Sequence, residues 1–361
     1  MNITNISVQD FRSLSLFSKD FDKRIIIFCG NNNAGKTSVL EAIYFCSNLR
    51  SFKSVSNNEI INNKEKSFKI SLNFCQNNLK SNIFVEKSLK SSKVTMNSKK
   101  ISKASLAVSF PCYFLVFGFN NILLNESSYR RDFIDSGMFH VEPGSIQATK
   151  KLDTTVKQRN YILKSKQTSE LDFWDTELIK ANSLVSSFRQ NYFSDLCREV
   201  EKILDDLVNI DKNLYSDIST LELSYNKGWA GNSFSEELAL ARDKDLSVGH
   251  TTIGSHRSDF IAKSKSKPVK ESGSMSTLVL SCLILYLAKI NIFHVKHGYK
   301  PVLLIDDLFF GIDNKNLNTV VKLLVSSSSN IVLTAPNIYR DVLIDLSRDN
   351  KEIEIINMEN T

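Results

Sequence analysis

The chain has 361 residues, enough for about two domains with cores of their own, and its 42% hydrophobic and 24% charged residues with only 5 prolines exclude disorder on a large scale. A net charge of +7 and a pI near 8.9 permit a polyanionic partner without requiring one. Six scattered cysteines (Cys29, Cys46, Cys75, Cys112, Cys197, Cys282), with no C-x-x-C and no histidine at metal spacing, point to a reduced, cytoplasmic chain with buried thiols. The first residues are strand-like, so no signal peptide is expected.

In chain order, the first informative stretch is Gly30-Asn31-Asn32-Asn33-Ala34-Gly35-Lys36-Thr37, which fits G-x-x-x-x-G-K-[ST]. Arg24-Ile25-Ile26-Ile27-Phe28-Cys29 before it reads as a buried strand, and Ser38-Val39-Leu40-Glu41-Ala42-Ile43-Tyr44-Phe45 after it reads as a helix. The glycines let the backbone turn so that successive N–H groups face a phosphate at a helix N-terminus, where the helix dipole also favours an anion. In such a cradle Lys36 reaches the β- and γ-phosphates and Thr37 holds Mg²⁺. A chance glycine turn satisfies the bare pattern; the strand before it and the helix after it argue against chance.

Period-two alternation follows in Phe68-Lys69-Ile70-Ser71-Leu72-Asn73-Phe74, then over 82–86 and 93–96, and predicts an antiparallel meander with a turn at Asn97-Ser98. Leu171, Trp174, Leu178, Ala181, Val185, Phe188, Tyr192, Leu196, Val200, Ile203 and Leu207 recur at steps of three or four in a stretch without proline. They predict one long helix or two nearly continuous ones, packed in a compact lobe. Lysines gather at Lys87, Lys90, Lys93, Lys99, Lys100 and Lys103, and again at Lys263, Lys265, Lys267 and Lys270. A charge run is usually a solvated face, and either run also suits a phosphate backbone. Residues 276–293 are apolar enough for a membrane span, but Ser281, Lys289 and Asn291 within them favour a buried core helix.

Pro301-Val302-Leu303-Leu304-Ile305-Asp306-Asp307 is an apolar run closing in acids, the form of a Walker B strand. Asp306 would bind Mg²⁺ through water and Asp307 would orient or deprotonate the attacking water. Asp306 stands 270 residues beyond Lys36, so a large insertion lies inside the nucleotide-binding fold, as in ABC-type ATPases of the SMC kind. Strands over 331–334 and 353–356 return the chain to α/β character and complete the sheet.

Several further segments, in this order, resemble the RecF family of bacterial SMC-like ATPases over nearly the whole chain. Ile6-Ser7-Val8-Gln9-Asp10-Phe11-Arg12 is similar to its opening strand and N-F-R, and Ser51-Phe52-Lys53 to its Ser-Phe-Arg. Arg130-Arg131-Asp132-Phe133-Ile134-Asp135 resembles R-R-x-F-L-D, Gln158-Arg159-Asn160 matches Q-R-N, and Gly254-Ser255-His256-Arg257-Ser258-Asp259-Phe260 resembles G-P-H-R-D-D-L. The family's signature, close to S-x-G-Q-Q, falls on Glu271-Ser272-Gly273-Ser274-Met275-Ser276, with Glu271 in place of the serine that donates to the γ-phosphate. A carboxylate there repels that phosphate, and Ser272 is the substitute donor. The F-S-P-E-D-L segment becomes Phe117-Gly118-Phe119-Asn120-Asn121-Ile122, and the loop Phe309-Phe310-Gly311-Ile312-Asp313 keeps a D-loop Asp313 but has Gly311 at a usual glutamate.

The resemblance implies an α/β fold: an ABC/SMC-type P-loop ATPase head of mixed sheet with an antiparallel β subdomain (residues 1–110 and 271–361) and an inserted, mainly helical lobe (111–270). It implies ATP and Mg²⁺ as cofactors. Lys36 and Asp307 would be catalytic and Thr37 and Asp306 would hold the metal, with ATP bound by Gly30, Asn31, Asn32, Asn33, Ala34, Gly35, Lys36, Thr37, Ser38, Ser272, Gly273, Asp313 and the switch residue Thr334. It implies an ATP-dependent homodimer on double-stranded DNA at single-strand/duplex junctions, acting with RecR and RecO to load RecA, without a membrane. Glu271 and Gly311 keep open a clamp that binds ATP without hydrolysing it. A nuclease of the overcoming-lysogenisation-defect type is disfavoured, because only 48 residues follow Asp313. His256-Arg257 admits two readings, an active-site pair or a packing loop.

Overall fold

A computed structural model describes residues 1–53, 59–62, 65–116, 121–165, 168–210, 218–309, 312 and 314–358. They form two compact units: Met1–Asn121 with Leu207–Leu214 and Phe293–Thr361, and Ile122–Asp206 with Tyr215–Ile292.

The first unit holds two sheets with a helix between them. Strands β1 (Asn2–Phe11), β2 (Leu14–Asp20), β4 (Ser67–Gln76), β5 (Leu79–Ser88), β6 (Ser92–Met96) and β7 (Lys99–Lys100) make an antiparallel sheet in the order β2-β1-β4-β5-β6-β7. The run β4 to β7 is the expected meander, and β1 and β2 extend it on the β4 side. Two of its two-residue turns, Asn77-Asn78 and Asn97-Ser98, have φ of 49° and 64°, and 50° and 65°. Both central residues are left-handed, the turn whose twist matches paired strands, and asparagine tolerates it best after glycine.

Strands β3 (Ile25–Gly30), β8 (Cys112–Val116), β12 (Val302–Asp306), β13 (Ile331–Pro336) and β14 (Ile353–Met358) form a parallel sheet in the order β14-β3-β13-β12-β8. Helix α1 (Lys36–Asn48) packs its apolar side into a core shared by both sheets. Phe11 of β1, Phe45 of α1 and Phe68 of β4 meet edge-on with centroids 5.0 to 6.2 Å apart. Helix α2 (Lys103–Ser109) is capped by Ser102, and helices α9 (Asn314–Ser326) and α10 (Arg340–Asp349) follow β12 and β13. Cys112–Val116 departs from the expected lobe boundary at residue 111, because it pairs with β12 as an edge strand, Leu304 opposite Phe114. A five-residue apolar run carries no period by which a strand can be told from a helical segment.

In the second unit α3 (Ser127–Val141), α4 (Ser145–Ser165) and most of α5 (Leu171–Ile210) come first in the chain; α5 is a single 40-residue helix whose last turn, from Leu207, counts with the first unit, and its stripe is buried at Leu171, Leu178, Val185, Tyr192, Leu196 and Leu207. The expectation of a mainly helical stretch missed a small antiparallel sheet, β11-β10-β9, built from β9 (Glu222–Asn226), β10 (Asp259–Ser264) and β11 (Lys267–Pro268). Helix α6 (Phe234–Val248) lies between β9 and β10, and α7 (Val269–Ser272) leads to α8 (Met275–His297). The α8 helix is long and apolar enough to cross a membrane, yet most of it is buried within the protein, which makes it a core helix.

Three buried arginines fasten this unit, and two of them hold the segment before and at the start of β10. Arg130 grips Asp259 with two hydrogen bonds, and Arg189 grips Asp135 while donating to Ser255 O and Ser258 Oγ. Arg159, fully buried, donates to Asp175, Asp245 and Thr251. The motif residues of the resemblance are thus brought together as an ionic framework. Removing one partner of such a pair typically costs about 3–5 kcal/mol, because the other charge stays buried.

Lys289 in α8 is buried, donates to Phe133 O at 2.9 Å and Ser136 Oγ at 2.6 Å, and lies over the Phe133 ring. Burial pushes its ammonium down to about 7, against the pull of Asp135 and Asp132. The folded protein therefore binds this proton more weakly than the unfolded chain, so the group costs stability fully below pH 7, and the cost fades as pH rises toward the ordinary lysine value of about 10.4. Lys289→Met should raise the Tm at pH 6 more than at pH 9.5. Thermal denaturation across that range checks it, and an equal shift at both pH values contradicts it.

Candidate nucleotide-binding site

The parallel sheet sets the site, because all its strands end on one edge and a ligand crevice opens beyond such C-terminal ends. All six residues of β3 are buried, as expected of a central strand covered on both faces. Thr334 pairs with Phe28, and Ile305 with Leu333, so Asp306 ends β12 level with Thr334 and Phe28, while β13 and β3 run two residues further, to Pro336 and Gly30.

Glycines shape the loop where nothing else fits. A Cβ on Gly30 would lie 2.5 Å from Met358 O, and one on Gly35, where φ is +83°, would lie 2.7 Å from Leu14 Cδ2. Asn33 is also left-handed, at φ 68°, and Ala34 N–H donates to Asn31 O. Gly35 begins α1 without a side-chain cap, and no acid occupies the first turn, so the positive helix end is left to an anion. Asn31, Asn32 and Asn33 are exposed, and Ser38 Oγ lies 3.3 Å from Ser13 Oγ.

Lys36 is only 8% exposed, and its Nζ donates to Gly30 O and Asn31 O, each at 2.7 Å. Burial lowers its pKa, opposed by the nearby Asp307 and Asp306. Beneath the loop, Cys29 is buried and its thiol is pushed up to about 11.

Asp306, buried at the end of β12, accepts on one oxygen from Thr37 Oγ1 at 3.2 Å and from Thr334 Oγ1 at 2.7 Å. Burial raises its pKa first; the bonds from Thr334 and Thr37 and the charge of Lys53 oppose that, while Asp307 adds to it. Asp307 N–H donates to Thr334 Oγ1 at 3.0 Å, and Asp307 itself is exposed with φ 55°. A hydroxyl and a carboxylate side by side are hard oxygen donors that suit Mg²⁺. Among the described residues no cluster of three or more His, Cys, Asp or Glu side chains could hold a metal unaided, and Mg²⁺ at a phosphate site takes only one or two carboxylates.

Lys36, Thr37, Asp306, Asp307 and Thr334 are therefore brought together in one unit. Ser272 ends the helical turn α7 and Gly273 follows it, in the other unit; Gly273 N–H donates to Val269 O, and a Cβ there would lie 2.6 Å from that oxygen. Asp313, Gly311 and the segment 117–120 lie outside the described residues. His256 Nε2 donates to Thr251 O at 3.1 Å, and burial pushes the imidazole down to about 4. It is neutral at physiological pH and engaged in its own loop, the packing alternative of the two readings.

Sequence reading missed the support behind the loop. Arg12, itself left-handed at φ 56°, clasps the buried Glu41 of α1 through two hydrogen bonds at 3.0 and 2.7 Å, and Ser51 joins the same carboxylate. The available signal was one acid, Glu41, inside an otherwise apolar helical run. Lys53, read only as part of a motif, is close enough to influence Asp306.

The chain matches a family model described as AAA ATPase domain over residues 1–239. It is similar to the DNA replication and repair protein RecF of Haemophilus influenzae (strain 86-028NP), 29% identical across 98% of this chain and 97% of that one. RecF of Shewanella sp. (strain MR-7) is 27% identical across 93% and 92%. Among solved structures, the recombination mediator protein RecF-ATPrS in the RecFOR pathway superposes with a TM-score of 0.76 at 21% identity, covering 99% of this chain and 96% of that one. The Smc head domain from Pyrococcus furiosus does so with a TM-score of 0.57 at 14% identity, covering 99% and 94%. The head of mixed sheets with its helical insertion is thus the fold of RecF and SMC heads, and the chain belongs to the AAA ATPase domain family as a relative of RecF.

Proposed function

We propose that this chain is an ATP-gated DNA-binding ATPase of recombinational repair in the cytoplasm, closing as a homodimer on duplex DNA near single-strand gaps and working with RecR and RecO to load RecA. The observation that carries the ATPase reading is the single Asp306 oxygen shared by Thr37 and Thr334, with the Lys36 ammonium close by. Lys36 would face the β- and γ-phosphates, Thr37 and Asp306 would hold Mg²⁺, and Asp307 would orient the attacking water while Thr334 senses the γ-phosphate. Mg²⁺ held by Thr37 and Asp306 would neutralise the negative charge of the phosphates as the reaction proceeds. Ser272, Gly273 and Asp313 would complete the site of a second copy. The repair role is carried over from the relatives' names.

A second reading, a clamp that binds ATP without turnover, draws on Glu271, an exposed acid two residues before Gly273. Steady-state ATPase activity with gapped DNA separates the two.

Lys36→Ala should abolish ATP binding in isothermal titration, and with it ATP-dependent dimerisation; undiminished affinity in a folded variant sinks the assignment. Asp307→Asn keeps a residue that tolerates φ 55°. It should therefore retain ATP, hold the closed dimer in light scattering, and lose turnover by about two orders of magnitude. Turnover at the parent rate contradicts the role given to Asp307.

For DNA, Lys99, Lys100 and Lys103 are exposed, and Lys103 lies near enough to Lys87 to help burial lower the latter's pKa. If this patch meets phosphates, log affinity should fall linearly with log salt, with a slope of about −0.9 per contact. Neutralising the three lysines should flatten the slope by roughly two to three units, equally on unrelated sequences. An unchanged slope and affinity would show a merely solvated face.

A further inference from the structure

Strand β13 ends at Pro336, opposite Gly30 across the parallel ladder, and passes at once into the 3₁₀ turn Asn337–Tyr339. Its three side chains go to three different places. Asn337 Nδ2 donates to Asn31 Oδ1 at 2.9 Å, Ile338 is 83% exposed, and the Tyr339 hydroxyl donates to Phe309 O at 3.2 Å. The Tyr339 ring also lies 5.4 Å from the ring of Phe309. Asn31 is the residue whose carbonyl accepts one of the hydrogen bonds of Lys36, and Phe309 stands two residues beyond Asp307. One short turn therefore grips both the seat of the lysine and the loop that carries the acid.

We infer that Asn337 and Tyr339 are positioning residues for ATP hydrolysis, Asn337 acting on Lys36 through Asn31 and Tyr339 acting on Asp307 through Phe309. The inference rests on the ATPase reading above. The two arms act at different stages of the reaction. Asn31 is exposed, so without Asn337 its side chain loses a fixed partner, and the carbonyl that seats Lys36 is less well held; that cost falls on the binding of ground-state nucleotide. Asp307 is exposed and left-handed, with its N–H fixed by Thr334 and the chain beyond it fixed at Phe309 by Tyr339. An acid that orients water matters in the transition state, so loosening that second anchor lowers turnover and spares binding.

The test uses the full chain with Asn337→Ala, Asn31→Ala, their double variant, and Tyr339→Phe, measuring ATP binding by titration and kcat and KM at steady state. Loss of one uncharged hydrogen bond predicts a three- to tenfold change, roughly. Asn337→Ala should raise Kd and KM by that factor with kcat within about twofold. Asn31→Ala, which also alters a residue of the phosphate loop, should raise Kd at least as far, and adding Asn337→Ala to it should raise Kd no further, since their shared bond is already gone. Tyr339→Phe keeps the ring against Phe309 and should lower kcat with Kd unchanged. Variants that leave both parameters at parent values, additive Asn31 and Asn337 effects, or a common loss of Tm with Kd and kcat falling together would overturn the inference. Failure of the ATPase reading shows separately, in a parent chain that neither binds nor turns over ATP.

Discussion

One carboxylate oxygen of Asp306 links the elements of the nucleotide-binding edge. Thr37 reaches it from α1 and Thr334 from β13, while Asp306 itself ends β12 and the N–H of Asp307 returns to Thr334. Burial there raises the pKa of the acid, and the hydroxyls that reach it from α1 and β13 oppose that rise, so one carboxyl group draws the three elements together. The end of β12, the start of α1 and the end of β13 are for this reason one hydrogen-bonded unit rather than three neighbouring motifs.

The buried arginines of the other unit obey a related demand with a different result. Arg130, Arg159 and Arg189 each direct a planar fork of donors to carboxylates and to hydroxyl or carbonyl oxygens of their own unit. Motif residues that read as candidates for chemistry, His256 among them, are held in the framework of the segment before β10. Replacing such an arginine by lysine would lose the bidentate geometry while keeping the charge.

What was legible in the sequence was what repeats or has a fixed spacing. The period of two marked β4 to β6, the steps of three and four marked α5, the glycine spacing with its flanking runs marked β3, the phosphate loop and α1, and an apolar run closing in acids marked β12. Contacts between distant positions carry no period. Arg159 meets Asp245 across 86 residues, and Arg12 meets Glu41 across 29, with only an isolated charge in each case to announce a partner. The edge strand β8 and the small sheet around β10 were too short for their pattern to outweigh the helical signals nearby.

The seating of Lys36 changes the accounting of nucleotide capture. Its ammonium already gives two of its three N–H groups to carbonyl oxygens of its own loop, so on the ATPase reading a phosphate arriving there would not meet a bare cation; it would take the third N–H and compete with neutral acceptors for the other two. Capture is then an exchange reaction, whose driving force is the margin by which a charged oxygen outbids an uncharged one for the same protons. Weak anions hold little of that margin. On the proposed ATPase reading, discrimination between a polyphosphate and the inorganic ions of the cell would thus begin at the lysine, before any base or sugar is read.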